Sequence, residues 1–310
     1  MKLVIQVPAW NEAESLPRTL GELPRSVAGF DTVEVVVVDD GSDDASAEVA
    51  ARAGARVVRL PIHRGLARAF TAGLDVALES GADVIVNTDA DGQYDPEAIP
   101  RLVAPILVGD ADIVLGDRGI ATLAHFSPAK RCLQRLGARV VRLLSGVPVT
   151  DATTGFRAFS RAAAARLNCF TGFTYTLETL IQAGQAGLAV RSVPVATREA
   201  SRPSRLFRSN LTYVAISLTT LARLVFIYRP LRILLSLGVL CWIAALALGA
   251  RFGYFYVTGV SRAGHVQSLI AAAVLGLTGV QLAVLGVLAD LTSVNRHLLE
   301  ELRGRERERM

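Results

Sequence analysis

The chain has 310 residues, of which 51% are hydrophobic and 20% charged, and its mean hydropathy of +0.39 is too high for a wholly soluble chain of ordinary charge content. That length suits one large domain with an appendage and buries a core without disulfides, so disorder, collagen and small stapled scaffolds are excluded. The net charge of +5 is carried almost wholly by arginine, and three scattered cysteines and four isolated histidines without an HExxH pattern argue against a disulfide framework or a zinc cluster.

From the N-terminus, Met1 to Pro8 opens with a short β-like run and no apolar h-region, so a start inside the cell is expected. Apolar strand-like runs then alternate with helical stretches: Leu3 to Val7, Val33 to Val38, Val57 to Leu60, Asp83 to Asn87, Ile113 to Leu115 and Val190 to Val195. This alternation predicts an α/β domain over residues 1–200 with a mostly parallel sheet. Asp95-Pro96 reads as the cap and first position of a helix.

Residues 201–229 read as juxtamembrane. Leu206 to Tyr228 mixes Ser, Asn and Thr with apolar residues and suits an interfacial amphipathic helix better than a span, and Arg229-Pro230 breaks it. Within 230–290, Ile233 to Ala250 and Val266 to Ala289 run 18 and 24 residues without a charge, each long enough to cross a hydrocarbon core of about 30 Å. Arginines cluster before the first span (Arg198, Arg202, Arg205, Arg208, Arg223, Arg229, Arg232) and after the second, with only Arg251 and Arg262 between them. The predicted topology is a two-span hairpin in the cell membrane with both termini cytoplasmic and anionic headgroups as a partner. Residues 291–310 read as a charged, solvated cytoplasmic tail.

The densest chemical signal is Asp89-Ala90-Asp91-Gly92-Gln93, where a buried-looking strand runs into two carboxylates one residue apart. Ligands bind at the carboxyl ends of α/β strands, and a hard divalent cation relieves the repulsion of clustered acids while keeping positions for substrate phosphates. Mg²⁺ or Mn²⁺ on a diphosphate is the expected cofactor. A second acidic strand end, Asp39-Asp40-Gly41-Ser42, is expected in the same crevice, with either Asp39 or Asp40 on a ribose or base, and Pro8-Ala9-Trp10-Asn11-Glu12 follows the first strand into it.

These three segments resemble the successive motifs of family 2 glycosyltransferases with the GT-A fold. Gly116-Asp117-Arg118, Thr150 to Arg157 and Arg198 to Arg205 are similar to motifs of the polyprenyl-phosphate branch, the dolichol-phosphate mannose synthase and bactoprenol glucosyltransferase group. The resemblance runs from Leu3 to about Leu206. It implies a metal held by Asp89, Asp91 and Gln93, and a nucleotide-sugar site made by Pro8, Trp10, Asn11, Glu12, Asp39, Asp40, Asp89 and Ala90. Asp91, Asp151 and Arg118 would be catalytic, with Asp151 beside the reacting centre as base or orienting group. Arg118, Arg131, Arg157, Ser204 and Arg205 would hold the acceptor phosphate. Position 10 is Trp where the family usually has Tyr, and Arg202-Pro203-Ser204-Arg205 stands where it usually has Gly-x-Ser-Lys; arginine keeps the charge and adds a planar fork suited to phosphate.

The implied reaction is a single inverting displacement that moves a sugar from a UDP- or GDP-linked donor to a polyprenyl phosphate at the cytoplasmic face. A homo-oligomer such as a tetramer is expected, and no nucleic-acid partner. Three other readings fit the chain less well. A processive polysaccharide synthase needs a shielded conduit that two spans make poorly; a non-catalytic tethered scaffold has no use for paired metal carboxylates. A dinucleotide oxidoreductase is excluded by the missing GxGxxG and GxxxxGK[ST] loops.

Overall fold

The computed structural model describes residues 1–119, 128–169, 175–198, 218–219, 222–259 and 266–308. Two compact units emerge, residues 1–221 with 300–310, and residues 222–299.

The first unit is built on a sheet of seven strands: β1 (Lys2–Ala9), β2 (Thr32–Asp39), β3 (Arg56–Arg59), β4 (Val84–Asn87), β5 (Ile113–Asp117), β6 (Arg157–Ser160) and β7 (Val190–Pro194). Their spatial order is β3-β2-β1-β4-β6-β5-β7. The six predicted strands all form, and the sheet is parallel except for β6, which runs antiparallel between β4 and β5. β6 was not legible because Arg-Ala-Phe-Ser is short and leads into an alanine-rich helical stretch. The central strands are buried on both faces, as their runs of Val, Ile and Leu require.

Among the described residues up to 198, this unit has seven helices: α1 (Leu16–Glu22), α2 (Ser46–Arg52), α3 (Leu66–Glu79), α4 (Ile99–Leu107), α5 (Pro128–Ser145), α6 (Arg161–Arg166) and α7 (Tyr175–Gln185). One face of the sheet packs Leu3, Ile5 and Val7 against Leu16 and Leu20 of α1 and Ile99, Leu102 and Val103 of α4, each fully buried side chain stabilising by about 1.5–3 kcal/mol. α3 buries Ala67, Phe70, Leu74 and Leu78, and approaches β1 so closely that a Cβ on Gly73 would stand 2.4 Å from the Gln6 amide oxygen. Asp95 caps the turn Pro96–Ala98 by accepting from the Glu97 amide, as its pairing with Pro96 predicts. The strand order reverses at β1, with β2 on one side and β4 on the other, so a crevice opens at their carboxyl ends.

The second unit contains α8 (Pro230–Thr258) and most of α9 (Val266–Glu308). α8 begins with Pro230, whose missing N–H costs nothing at a first turn, and ends before Gly259 in the left-handed region. Pro230–Thr258 and Val266–Arg296 are long and apolar enough to cross a membrane, with mean hydropathies of 2.4 and 2.1, and little of either is buried. Glycine lets the pair pack tightly. A Cβ on Gly279 would stand 2.3 Å from Trp242 Nε1, which donates to the Gly276 carbonyl at 3.2 Å, and one on Gly286 would meet Leu231 and Leu234 at 3.3 Å. These glycines therefore serve packing within the pair.

The end of the chain departs from the expected solvated tail. α9 continues unbroken to Glu308, and Arg307, 3% exposed, pairs with Asp75 at 2.5 Å and donates to the Leu167 carbonyl at 2.6 Å. Burial with a matched carboxylate holds it there, whereas composition alone reads as solvated. Of the segment 201–229 expected to lie at the interface, residues 201–217 and 220–221 fall outside the described residues.

Candidate active site

The crevice is lined first by the exit of β1. Asn11 takes φ +54°, a left-handed conformation that asparagine tolerates, and is tied to the loop after β2: its amide donates to Ser42 Oγ at 2.9 Å and its side-chain oxygen accepts from the Asp43 amide. The Glu12 amide donates to Ser46 Oγ at 2.8 Å, and the Glu12 carboxylate accepts from Ser15 Oγ at 2.6 Å. Pro8 is buried, while Trp10 is 37% exposed and stacks on His63 with ring centroids 4.1 Å apart.

The two acids after β2 part company. Asp40 is spent on the loop that starts α3, accepting from the amides of Arg64 and Gly65 at 2.9 and 2.7 Å and meeting His63 Nδ1 at 2.8 Å. Asp39, 0% exposed, accepts from the Ser42 amide through Oδ1. Its Oδ2 lies 3.3 Å from Arg59 Nε yet makes no hydrogen bond. An acceptor buried this way costs free energy until a donor reaches it.

At the exit of β4, Thr19 of α1 donates to the Ala90 carbonyl at 2.9 Å, pinning the turn that carries Asp89 and Asp91. Gly92 takes φ +68°, after which the Gln93 amide and side chain donate to the two Asp91 oxygens at 3.1 and 2.6 Å. Gln93 thus orients Asp91 with its amide nitrogen. Asp89 is pushed up to about 7, first by burial and then by the charge of Asp91, against the pull of Arg118 and Arg157.

Asp151, 1% exposed, is gripped by Arg118 through both oxygens, Nε at 2.6 Å and an Nη at 2.9 Å, and the same Nη reaches Thr153 Oγ1 at 2.8 Å. Burial draws the Arg118 guanidinium downward, but the hydrogen bond to Asp151 and the charges of Tyr94, Asp151 and Asp89 together outweigh it and hold the group above its ordinary range. A carboxylate forked on both oxygens suits an orienting group better than a base.

Arg157 does not sit as an acceptor ligand. It is 0% exposed and donates to the carbonyls of Thr154, Ala152 and Thr176 and to Thr179 Oγ1, all within 2.8–2.9 Å. It braces the 150–156 segment, and its full burial leaves no exposed surface for a lipid phosphate. Arg131 falls on α5 but its side chain lies outside the described residues, as do Ser204 and Arg205 entirely. Sequence reasoning missed His63, which was read as isolated, and Asn87 and Tyr94. Asn87 had a signal, being a polar end to an otherwise apolar strand.

A mixed, mostly parallel sheet with paired carboxylates at the switch point is the architecture of GT-A nucleotide-sugar transferases. Glucosyl-3-phosphoglycerate synthase from Mycobacterium tuberculosis, solved with Mn²⁺, UDP and glucosyl-3-phosphoglycerate, has a similar fold at TM-score 0.54, with 22% identity over 71% of this chain and 79% of that one. The model of glycosyl transferase family 2 matches residues 4–167, and the chain belongs to that family. Undecaprenyl-phosphate mannosyltransferase of Micrococcus luteus is 31% identical over 206 residues, 63% of this chain and 83% of the relative. Polyprenol monophosphomannose synthase of Mycolicibacterium smegmatis is 28% identical over 210 residues, 64% and 78% respectively.

Proposed function

We propose that the protein transfers a sugar, with inversion and with divalent-metal dependence, from a nucleotide diphosphate to a polyprenyl phosphate at the cytoplasmic face of the cell membrane. The observation that carries this is the desolvated Asp89 beside the charge of Asp91 at the switch point, within electrostatic reach of Arg118. Relatives named for mannosyl or hexosyl transfer to undecaprenyl, polyprenyl or dolichyl phosphate support the acceptor class.

The residues fit a divalent cation. Asp89 keeps a proton up to about pH 7 because nothing nearby fully offsets its burial beside Asp91, and a hard cation would offset it. Among the described residues no third His, Cys, Asp or Glu completes a cluster, so Asp89 and Asp91 would hold the ion together with oxygens of the donor diphosphate. When bound, the ion supplies neutralisation of the charge that develops on the leaving diphosphate. Gln93 keeps Asp91 turned toward that position.

The chain's own groups account for the remaining steps. The unsatisfied Asp39 oxygen accepts an N–H of the nucleobase, and Trp10 offers it an exposed aromatic face. A phosphate monoester has a second pKa of about 6, so the acceptor arrives ionised and no strong base is required. Asp151 fixes the Arg118 fork, whose positive charge lies beside the diphosphate and the incoming phosphate. The two apolar helices hold the chain to the bilayer that carries the lipid phosphate, with arginine-rich flanks on the cytoplasmic side.

The test is purified protein in nanodiscs with polyprenyl phosphate and radiolabelled UDP-glucose, UDP-galactose, UDP-N-acetylglucosamine or GDP-mannose. Label entering the organic phase and lost with EDTA is expected with one donor. Silence with all four, together with no nucleotide binding by calorimetry, would overturn the reading.

A further inference from the structure

Both backbone polar groups of Gly155 are held by side chains of the segment that carries the two acids. Its N–H donates to Tyr94 Oη at 3.0 Å, and its carbonyl accepts from Asn87 Nδ2 at 2.7 Å. Tyr94 is 6% and Asn87 0% exposed, so neither bond competes with water. Asn87 is fixed in turn. Gln6 Nε2 donates to its Oδ1 at 2.9 Å, and its Nδ2 also reaches Tyr175 Oη at 3.0 Å. Tyr94 stacks on Phe156 with centroids 5.0 Å apart.

The clamped glycine forms a wall for Asp89. A Cβ on Gly155 would stand 2.5 and 2.7 Å from the two Asp89 carboxyl oxygens, so any side chain there would displace the carboxylate. Asn87 lies two positions before Asp89, and Tyr94 three positions after Asp91. Gly155 lies four positions after Asp151, on the segment braced by Arg157. Two hydrogen bonds to one residue therefore couple the turn of Asp89 and Asp91 to the segment of Asp151, which Arg118 grips.

We propose that Asn87 and Tyr94 are positioning residues, which clamp the Gly155 backbone so that Asp89 is held in a metal-binding orientation and in register with Asp151. This deepens the reading of Asp89 and Asp91 as cation ligands and rests on it. The physical basis is general: groups that orient a metal ligand from behind contribute about 10- to 100-fold to metal affinity or activity.

The experiment is Mn²⁺ binding by the full-length protein in detergent, followed by electron paramagnetic resonance with UDP or GDP present, whichever nucleotide calorimetry shows to bind. Wild type, Tyr94→Phe, Asn87→Ala, the double variant and Asp89→Ala are compared, with Tm measured on each. Tyr94→Phe removes one oxygen and keeps the ring stack, so it carries the test should Asn87→Ala fail to fold. The expected result is an Mn²⁺ Kd raised about tenfold or more in each single variant, Tm within a few degrees of wild type, and a double variant that loses less than the product of the singles, because both act on one residue. An unchanged Kd in Tyr94→Phe, with Mn²⁺ binding lost in Asp89→Ala, overturns the clamp and leaves the metal site standing. Wild-type Mn²⁺ binding in Asp89→Ala overturns the metal site itself and the clamp with it.

Discussion

The two acidic strand ends look alike in sequence and are opposite in energetics. After β2, Asp40 is answered by two backbone amides and His63, and Asp39 has the Ser42 amide and Arg59 at hand. After β4, Asp89 is desolvated beside another carboxylate and is pushed up to about 7. One pair is largely absorbed into the scaffold, where its charge closes a loop and starts a helix. The other stores repulsion that a ligand cation would relieve. A carboxylate left in that state is costly to the fold, and such cost is tolerated where function requires it.

The comparison is broken most directly at Asp91. Asp91→Ala should cut lipid transfer by about 10³-fold or more, the scale of several kcal/mol of charge stabilisation at the leaving group, while the protein stays folded; near-wild-type activity in the organic-phase assay would refute it. EDTA should give the same loss, restored by Mg²⁺ or Mn²⁺.

Next come the two arginines, which test where charge is structural and where it acts. Arg118→Ala strands the buried Asp151 charge and should destabilise by about 3–5 kcal/mol as well as abolish transfer, whereas Arg118→Ala with Asp151→Asn should recover most of the stability and none of the activity. Denaturant midpoints and the transfer assay separate the two. Arg157→Met should cost about 3 kcal/mol or more, because several buried carbonyls lose their donor, yet leave the KM for polyprenyl phosphate in the folded fraction within about twofold. A selective rise in that KM would return Arg157 to the acceptor site.

The smallest effects sharpen the contrast between acids. At pH 8 without metal, Asp40→Asn should destabilise by about 1–2 kcal/mol, the scale of losing charge-assisted bonds to two amides. Asp89→Asn should instead stabilise by on the order of 1 kcal/mol. The sign follows from the raised value. The native carboxyl binds its proton more tightly than the unfolded one, so it contributes stability only at low pH and loses that contribution as pH rises through about 7. The gain in Asp89→Asn should therefore shrink when unfolding is repeated at pH 4.

Much of the architecture was legible because burial on both faces of a parallel sheet forces recognisable apolar runs, and Leu3 to Val7 or Val33 to Val38 have no other reading. The acids at the strand ends were legible for the same reason, since a charge directly after such a run must lie at the mouth of the sheet. β6 was not, because four residues of mixed polarity carry no period, and it became a strand only by filling the gap between β4 and β5. The family resemblance gives Arg157, which begins it, to the acceptor phosphate, and its burial among carbonyls is a property of neighbours up to 22 positions away. The same holds for Arg307, whose partners Asp75 and Leu167 are more than a hundred residues distant in the chain.

What the amino-acid order determined by itself is local or periodic: the α/β alternation, two stretches apolar enough to span a bilayer, and carboxylates where strands stop. What tertiary structure alone decided is which of those charges are neutralised. Asp40, Asp89 and Asp151 are the same side chain at comparable turns, and only the groups folded against each of them, His63 and two amides, or a second carboxylate and Gly155, or the fork of Arg118, make one a brace, one a candidate metal ligand and one an anchor. Charge is written in sequence, but its solvation and partners depend on distances that exist only once remote segments have packed.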